Sequence, residues 1–223
     1  MTLQDIFDQL TSGELSQLSI GGAEAGSVPQ AGYATLTRNI QLGLTALYTR
    51  FNLKEGRSTA PLLVNQLEYT IANPNVLKVT EVRTDAGKEL DLNQKYNLDS
   101  CFTEGTSLLT IPAHIAAQGN DLAEQFKTAS LTLVFRSNHP KLDMTLAMGD
   151  PSGVVLELPD AYTQALLLFV ASRVYTPHGM DGNFNPGNNF FGRYEAECQR
   201  LEAEGLQNGG LSQSSRLLSK GFA

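Results

Sequence analysis

Tryptophan is absent from the 223 residues, cysteine occurs twice, histidine three times, and only 17% of the chain is charged. Cys101 and Cys198 are far apart, with no second pair to make a zinc site or a disulfide framework, so both are expected to be reduced packing residues. No apolar run approaches the roughly 18 residues that a bilayer crossing requires; the longest, Ala165 to Ala171, is far too short. The opening Met1-Thr2-Leu3-Gln4-Asp5 lacks the cationic end and apolar stretch of a secretory signal, which points to synthesis in a cytoplasm. Basic residues number 16 against 23 acidic ones, a net charge of −7. A protein that binds nucleic acid by neutralising phosphates needs clustered Lys and Arg, so this balance argues against that role. What is present is an ordinary globular composition, 41% hydrophobic, with enough chain for one or two domains.

Helical periodicity dominates both ends. Thr2 is placed to cap a helix whose Leu3, Ile6, Phe7 and Leu10 recur at spacings of three and four, ending at Ser12 and Gly13. After an aperiodic Gly21 to Gly32 loop, Tyr33, Leu36, Ile40, Leu44, Leu47, Tyr48 and Phe51 predict a long helix over Ala31 to Phe51. Beyond Gly56 the texture changes to β-prone runs: Leu63 to Ile71, Val76 to Thr84, Ser107 to Ile111 and Leu131 to Arg136. Asp85 and Gly87 suit a hairpin turn between the second run and Leu90-Asp91-Leu92. Pro74, Pro112 and Pro140 fall between runs, where a missing amide donor does no harm. Val154 to Pro159 reads as a last strand or an exit linker.

From Asp160 to Tyr175 a helix is apolar nearly all round, which requires neighbours on several sides. Its expected partners are the Ala31 to Phe51 helix and a final helix over Asn188 to Glu204. That last helix carries the stripe Phe190, Phe191, Tyr194, Cys198 and Leu201, with Arg193 and Glu197 as an exposed pair. The fold class that follows is α+β: a helical bundle interrupted by a small antiparallel β-domain insertion, with a flexible C-terminal tail. Residues 1–56 and 159–205 form the bundle, 57–158 the insertion, with a sandwich and a partly open barrel as its two candidate forms, and 206–223 the tail. That tail is rich in Gly and Ser, then ends in Arg216, Leu217, Leu218, Lys220 and Phe222. It holds two cations and no acid, which suits a peptide that orders on a partner.

Catalytic patterns are missing. His114, His139 and His178 fall in separate loops and read as surface or turn residues, with no paired ligands nearby. No nucleophile elbow, phosphate loop or dinucleotide fingerprint occurs, so no enzyme activity, cofactor or metal is expected. Asp181, Asn183 and Asn185 alternate like the first ligands of a calcium loop. Position six is Pro186 and position twelve Gly192, however, where that loop needs Gly and a bidentate Glu. A polar connection between helices explains them better. Asp143, Asp150 and Glu157 are the acidic residues a hydrolase could use, and solvated charge is their ordinary explanation.

Three segments carry a family resemblance. They are the hairpin Val76-Leu77-Lys78-Val79-Thr80-Glu81-Val82 with Gly87-Lys88-Glu89-Leu90-Asp91-Leu92-Asn93, leading on to Leu133 to Pro140; the stretch Leu156-Glu157-Leu158-Pro159-Asp160-Ala161-Tyr162 running to Tyr175; and Tyr194-Glu195-Ala196-Glu197-Cys198. From Val76 to Leu206 the chain resembles the head-to-tail adaptor proteins of short-tailed bacteriophages. The resemblance implies a structural role in the virion neck: a homo-oligomeric ring, commonly a dodecamer, joining the portal protein of the DNA-filled head to tail or nozzle proteins. DNA would pass through the channel without specific binding, and no membrane is involved. Leu211, Arg216, Leu217, Leu218, Lys220 and Phe222 would then be the portal-docking residues, apolar anchors flanked by cations. The alternative is a carbohydrate- or receptor-binding β-domain on a helical stalk, which calls for exposed aromatics on strands or loops.

Overall fold

The computed structural model of the chain describes residues 1–16, 28–116, 129–175 and 186–206. Among them it is an α+β protein. The helices are α1 (Leu3–Ser12), α2 (Gln30–Arg50), α3 (Ala113–Ala116), α4 (Met144–Gly149), α5 (Thr163–Tyr175) and α6 (Pro186–Ala203). The strands are β1 (Glu55–Pro61), β2 (Glu68–Thr70), β3 (Val76–Thr84), β4 (Glu89–Leu90), β5 (Phe102–Glu104), β6 (Leu108–Thr110) and β7 (Ser130–Ser137). The chain divides into two compact units, Met1–Leu53 together with His139–Ala223, and Lys54–Asn138.

In the first unit, α1 starts where a capping box can form. The Thr2 hydroxyl accepts from the Asp5 amide at 3.2 Å, and the Asp5 carboxylate accepts from the Thr2 amide at 2.7 Å. Leu3, Ile6, Phe7 and Leu10 are buried as their spacing predicts. Helix α5, buried from Ala165 to Ser172, packs against α2 and α6. The α2–α5 crossing is close because Gly43 has no side chain: a Cβ there would stand 2.6 Å from Leu166 Cδ1 and 3.0 Å from Phe169 Cδ1. Phe51 meets Tyr162 edge-on with ring centroids 5.0 Å apart, and Phe169 meets Tyr194 at 5.3 Å.

Residues 139–158, which the sequence reading placed with the β-domain, belong to this first unit. The apolar Val154–Leu158 run pairs with the chain start: Leu3 N–H donates to the Val154 carbonyl and Leu156 N–H to the Met1 carbonyl, both at 2.9 Å. Upstream, the Leu142 amide donates to Gln41 Oε1 of α2 at 2.8 Å. Helix α4, unforeseen in the sequence because it spans barely two turns, is capped by Asp143. Two expectations on α6 also change. Phe191 is 47% exposed rather than part of the buried stripe, which consists of Gly187, Tyr194, Cys198 and Leu201. Arg193 lies over the Phe190 ring at 5.5 Å instead of pairing with Glu197, whose carboxylate is taken by Arg200 at 2.6 Å.

The second unit holds two antiparallel sheets, ordered β1-β7-β3-β4 and β2-β6-β5. Their apolar side chains share one core, with Tyr69 and Leu109 of the smaller sheet joining Val79, Val82, Leu133 and Phe135 of the larger. The β3–β4 hairpin closes as its turn residues predict: Gly87 N–H donates to the Thr84 carbonyl and Thr84 N–H to the Lys88 carbonyl, both at 2.9 Å. Along β3 the pairing with β7 slips twice, between Val76 and Lys78 and between Val79 and Glu81. At the second slip the Thr80 hydroxyl donates to the Val134 carbonyl at 3.1 Å, and Glu81 turns inward against Arg83.

Three departures from the sequence reading occur here. Leu63 to Ile71 is not one strand; only Glu68–Thr70 pairs. The preceding residues form a turn, with Asn65 left-handed at φ 61° and Gln66 N–H donating to the Leu63 carbonyl at 3.1 Å. Strand β1 was missed because it is a polar sheet edge, with no residue fully buried along it. Strand β5 was missed for its brevity.

Candidate functional site

The expected docking residues Leu211, Arg216, Leu217, Leu218, Lys220 and Phe222 lie outside the described residues, as do His178, Asp181, Asn183 and Asn185. The structure does describe the root from which residues 207–223 continue. Helix α6 ends in a Schellman motif. Gly205 adopts φ +69°, its amide donates to the Glu202 carbonyl at 3.1 Å, and the Leu206 amide donates to the Leu201 carbonyl at 3.3 Å. The Leu206 carbonyl in turn accepts from the Tyr162 hydroxyl at 2.6 Å. Tyr162 is itself buried against Phe51, and burial raises its phenol above the ordinary value, so it acts as a neutral donor. Leu206 is therefore held in place by Tyr162, just before α5, which itself packs on Phe51 at the end of α2.

Around this root two arginines each hold two carboxylates. Arg50 at the end of α2 donates from Nε to Glu202 and from Nη1 to Glu195 of α6, both at 2.7 Å. Its hydrogen bond to Glu202 first, and then that to Glu195, lift Arg50 above its ordinary pKa. The reciprocal bond from Arg50 holds Glu202 below the usual carboxylate range. Arg200 bridges Glu197 and Glu204 along the outer face of α6, and its bond holds Glu197 low as well. Together these pairs tie α2 to α6 and order the last turns before Gly205.

The residues considered for chemistry have structural partners. Asp143 caps α4 by accepting from the Thr145 amide at 2.8 Å and the Leu146 amide at 3.1 Å. Asp150 accepts from the Ser152 amide at 3.1 Å and the Ser152 hydroxyl at 2.5 Å, capping the 3-10 turn Pro151–Gly153. His139 is not a surface residue: it is 3% exposed, with its ring 5.5 Å from Tyr48 in an edge-on pair. Its Nδ1 lies 2.6 Å from the Pro140 carbonyl, and its Nε2 accepts from the Glu157 amide at 3.1 Å. A carbonyl only accepts and an amide only donates, so the ring is the neutral tautomer protonated on Nδ1. The Tyr48 hydroxyl donates to the Glu157 carbonyl, so the Glu157 peptide is held on both sides; burial, with Glu157 charge nearby, pushes Tyr48 up to about 12. His114 sits on α3, in the second unit, 3.0 Å from Asp99 Oδ1.

Both cysteines are free and buried. Burial pushes the Cys101 thiol up to about 12 and raises Cys198 too, away from thiolate chemistry. Among the described residues, no three His, Cys, Asp or Glu side chains converge as a metal site, and no helix is long and apolar enough to cross a membrane. Sequence reasoning located the Gly205 boundary but missed Tyr162, whose bond to Leu206 spans 44 positions and leaves no local signal. No family model matches the chain, and no curated protein matches it.

Proposed function

We propose that the chain is a structural virion protein, a ring-forming head-to-tail adaptor whose C-terminal segment docks on the portal protein. In this reading the helical unit is a bundle that carries the β-unit as an insertion, and neighbouring copies contact one another through two different faces, as a closed ring requires. The observation that carries the reading is the built root of the tail. A basic, apolar segment starting from a carbonyl clamped by Tyr162 is delivered to its partner from a defined point, which reduces the volume it must search. The net charge of −7 suits a wall that a DNA duplex passes without sticking. Ending the chain after Gly210 is expected to leave a folded protein that no longer joins portal rings in a sedimentation or mass measurement. Co-assembly unchanged by that truncation overturns the docking role, and detection of the chain in purified virions tests its location.

A second reading, a β-unit that binds a carbohydrate or receptor, is favoured by one observation. The second unit exposes Tyr96 on a loop and Phe102 on an edge strand, the kind of placement such a binder needs.

A further inference from the structure

Glu68 of β2 and Phe102 of β5 both pair with Thr110 of β6. The loops leading into β2 and β5 therefore emerge at the same end of the three-stranded sheet, two strand spacings or roughly 10 Å apart. Both are tied to α3. The Asn65 amide donates to the Ala116 carbonyl at 3.0 Å, and His114 Nε2 stands 3.0 Å from Asp99 Oδ1.

The loop before β5 is cross-linked from within. The Asp91 carboxylate accepts from Gln94 Nε2 at 3.0 Å and from Asn97 Nδ2 at 2.6 Å. The Gln94 amide donates to Ser100 Oγ and the Thr103 amide to Asn93 Oδ1, both at 2.9 Å. Ser100 and Cys101 are buried beneath it. Yet Tyr96 is 94% exposed and Leu98 90% exposed. Large apolar side chains left in water add little to the fold, Tyr96 meeting only its neighbour Lys95, whose Nζ stands 6.0 Å from the ring centroid, while the hydrogen bonds hold the backbone that presents them. Leu63, Val64 and Leu67 on the other loop, and Phe102 itself, are also exposed.

These six side chains, on two loops at one end of the sheet, together expose roughly 600–700 Å², somewhat less than one side of a standard protein interface. That is an area matched to a protein. Among the described residues of these two loops and their strand entries, the carboxylates Glu68, Asp91 and Asp99 outnumber the ammonium of Lys95. A second copy meeting the same end would bring like charges together, and an anionic lipid surface would be repelled.

We propose that this end of the second unit is a docking face for a protein partner whose apolar pockets are rimmed by lysine or arginine, with Tyr96 and Leu98 as the anchors. The inference goes beyond the adaptor reading and does not depend on it, since it uses the second unit alone and leaves the tail intact.

The test pans the full chain against a displayed library of random short peptides and measures the recovered peptides in solution. Peptides combining aliphatic or aromatic residues with Lys or Arg are expected to be enriched. The Tyr96→Ser/Leu98→Ser variant is expected to keep its Tm and to bind them at least about tenfold more weakly. Asp91→Ala, which keeps both anchors but removes the scaffold of the loop, is expected to weaken binding several-fold. No enrichment, equal binding by the double variant, or preference for acidic peptides overturns the proposal. So does anchor-dependent dimerisation in analytical ultracentrifugation, or anchor-dependent binding to phosphatidylcholine–phosphatidylglycerol vesicles.

Discussion

His139 holds together two stretches of the first unit that are 18 positions apart, accepting from the Glu157 amide while donating to the carbonyl beside it. His139→Ala leaves that amide and the Pro140 carbonyl without their partner, and the loss of folding stability in urea titration is expected to be about 1–3 kcal/mol. Tyr48→Phe, which removes a single donor, should cost about 1 kcal/mol by the same measurement. In the second unit, Glu81 is buried and receives both Nε and Nη2 of Arg83, at 2.9 and 2.5 Å. Arg83 is partly exposed, so solvent screens the pair. Arg83→Met is expected to destabilise by about 1–3 kcal/mol, below the range for a fully buried pair. Adding Glu81→Leu should recover part of that loss, because it removes the stranded charge. A double variant no more stable than Arg83→Met would show that the carboxylate is not what destabilises it.

Among the helices, the α2–α5 crossing depends on an absent side chain. Gly43→Ala places a methyl 2.6 Å from Leu166 Cδ1, and an overpacking loss of about 1–3 kcal/mol is expected as a lowered Tm. The α2–α6 junction has a pH signature. Glu202 titrates below its ordinary value of 4.5 because Arg50 bonds its charged form. A depressed carboxylate stabilises the fold above the unfolded value, and that contribution disappears as pH falls through the folded one. The stability gap between wild type and Arg50→Met should therefore be full above about pH 5 and close on acidification. A gap independent of pH would mean that Arg50 acts through its packing on Phe51 alone. These elements also show what periodicity can reveal. Helices α1 and α2 were legible because each presents a repeated apolar face, α5 because it is apolar nearly all round, and β3 and β7 because their runs are long and β-prone. Strand β1 was hidden because an edge need not bury anything, and α4 because its cap, Asp143, resembles any loop acid. The inward turn of Glu81 was hidden too, since the slip after Val79 is set by the pairing with β7 rather than by β3 itself.

At the scale of the whole chain, the sequence made the alternation of helical and β texture legible, together with the end of the last helix at Gly205. It did not reveal that residues 139–158 side with the helices, since Val154 to Leu158 looks like any strand until Met1 and Leu3 are seen beside it. The tail's chemistry was equally plain in sequence, whereas the clamp at its root needs Tyr162 and Leu206 brought together by α5 and α6. The pairing of Met1–Leu3 with Val154–Leu156 has a consequence for biosynthesis. A ribosome finishes Lys54–Asn138, a continuous stretch, well before α5 has been polymerised, so that unit can acquire its core first. Helices α1 and α2 must wait with their apolar faces uncovered until the second half of their own unit emerges. Nascent chains stalled between these points should resist protease across the middle of the sequence while their amino-terminal segment is still cleaved.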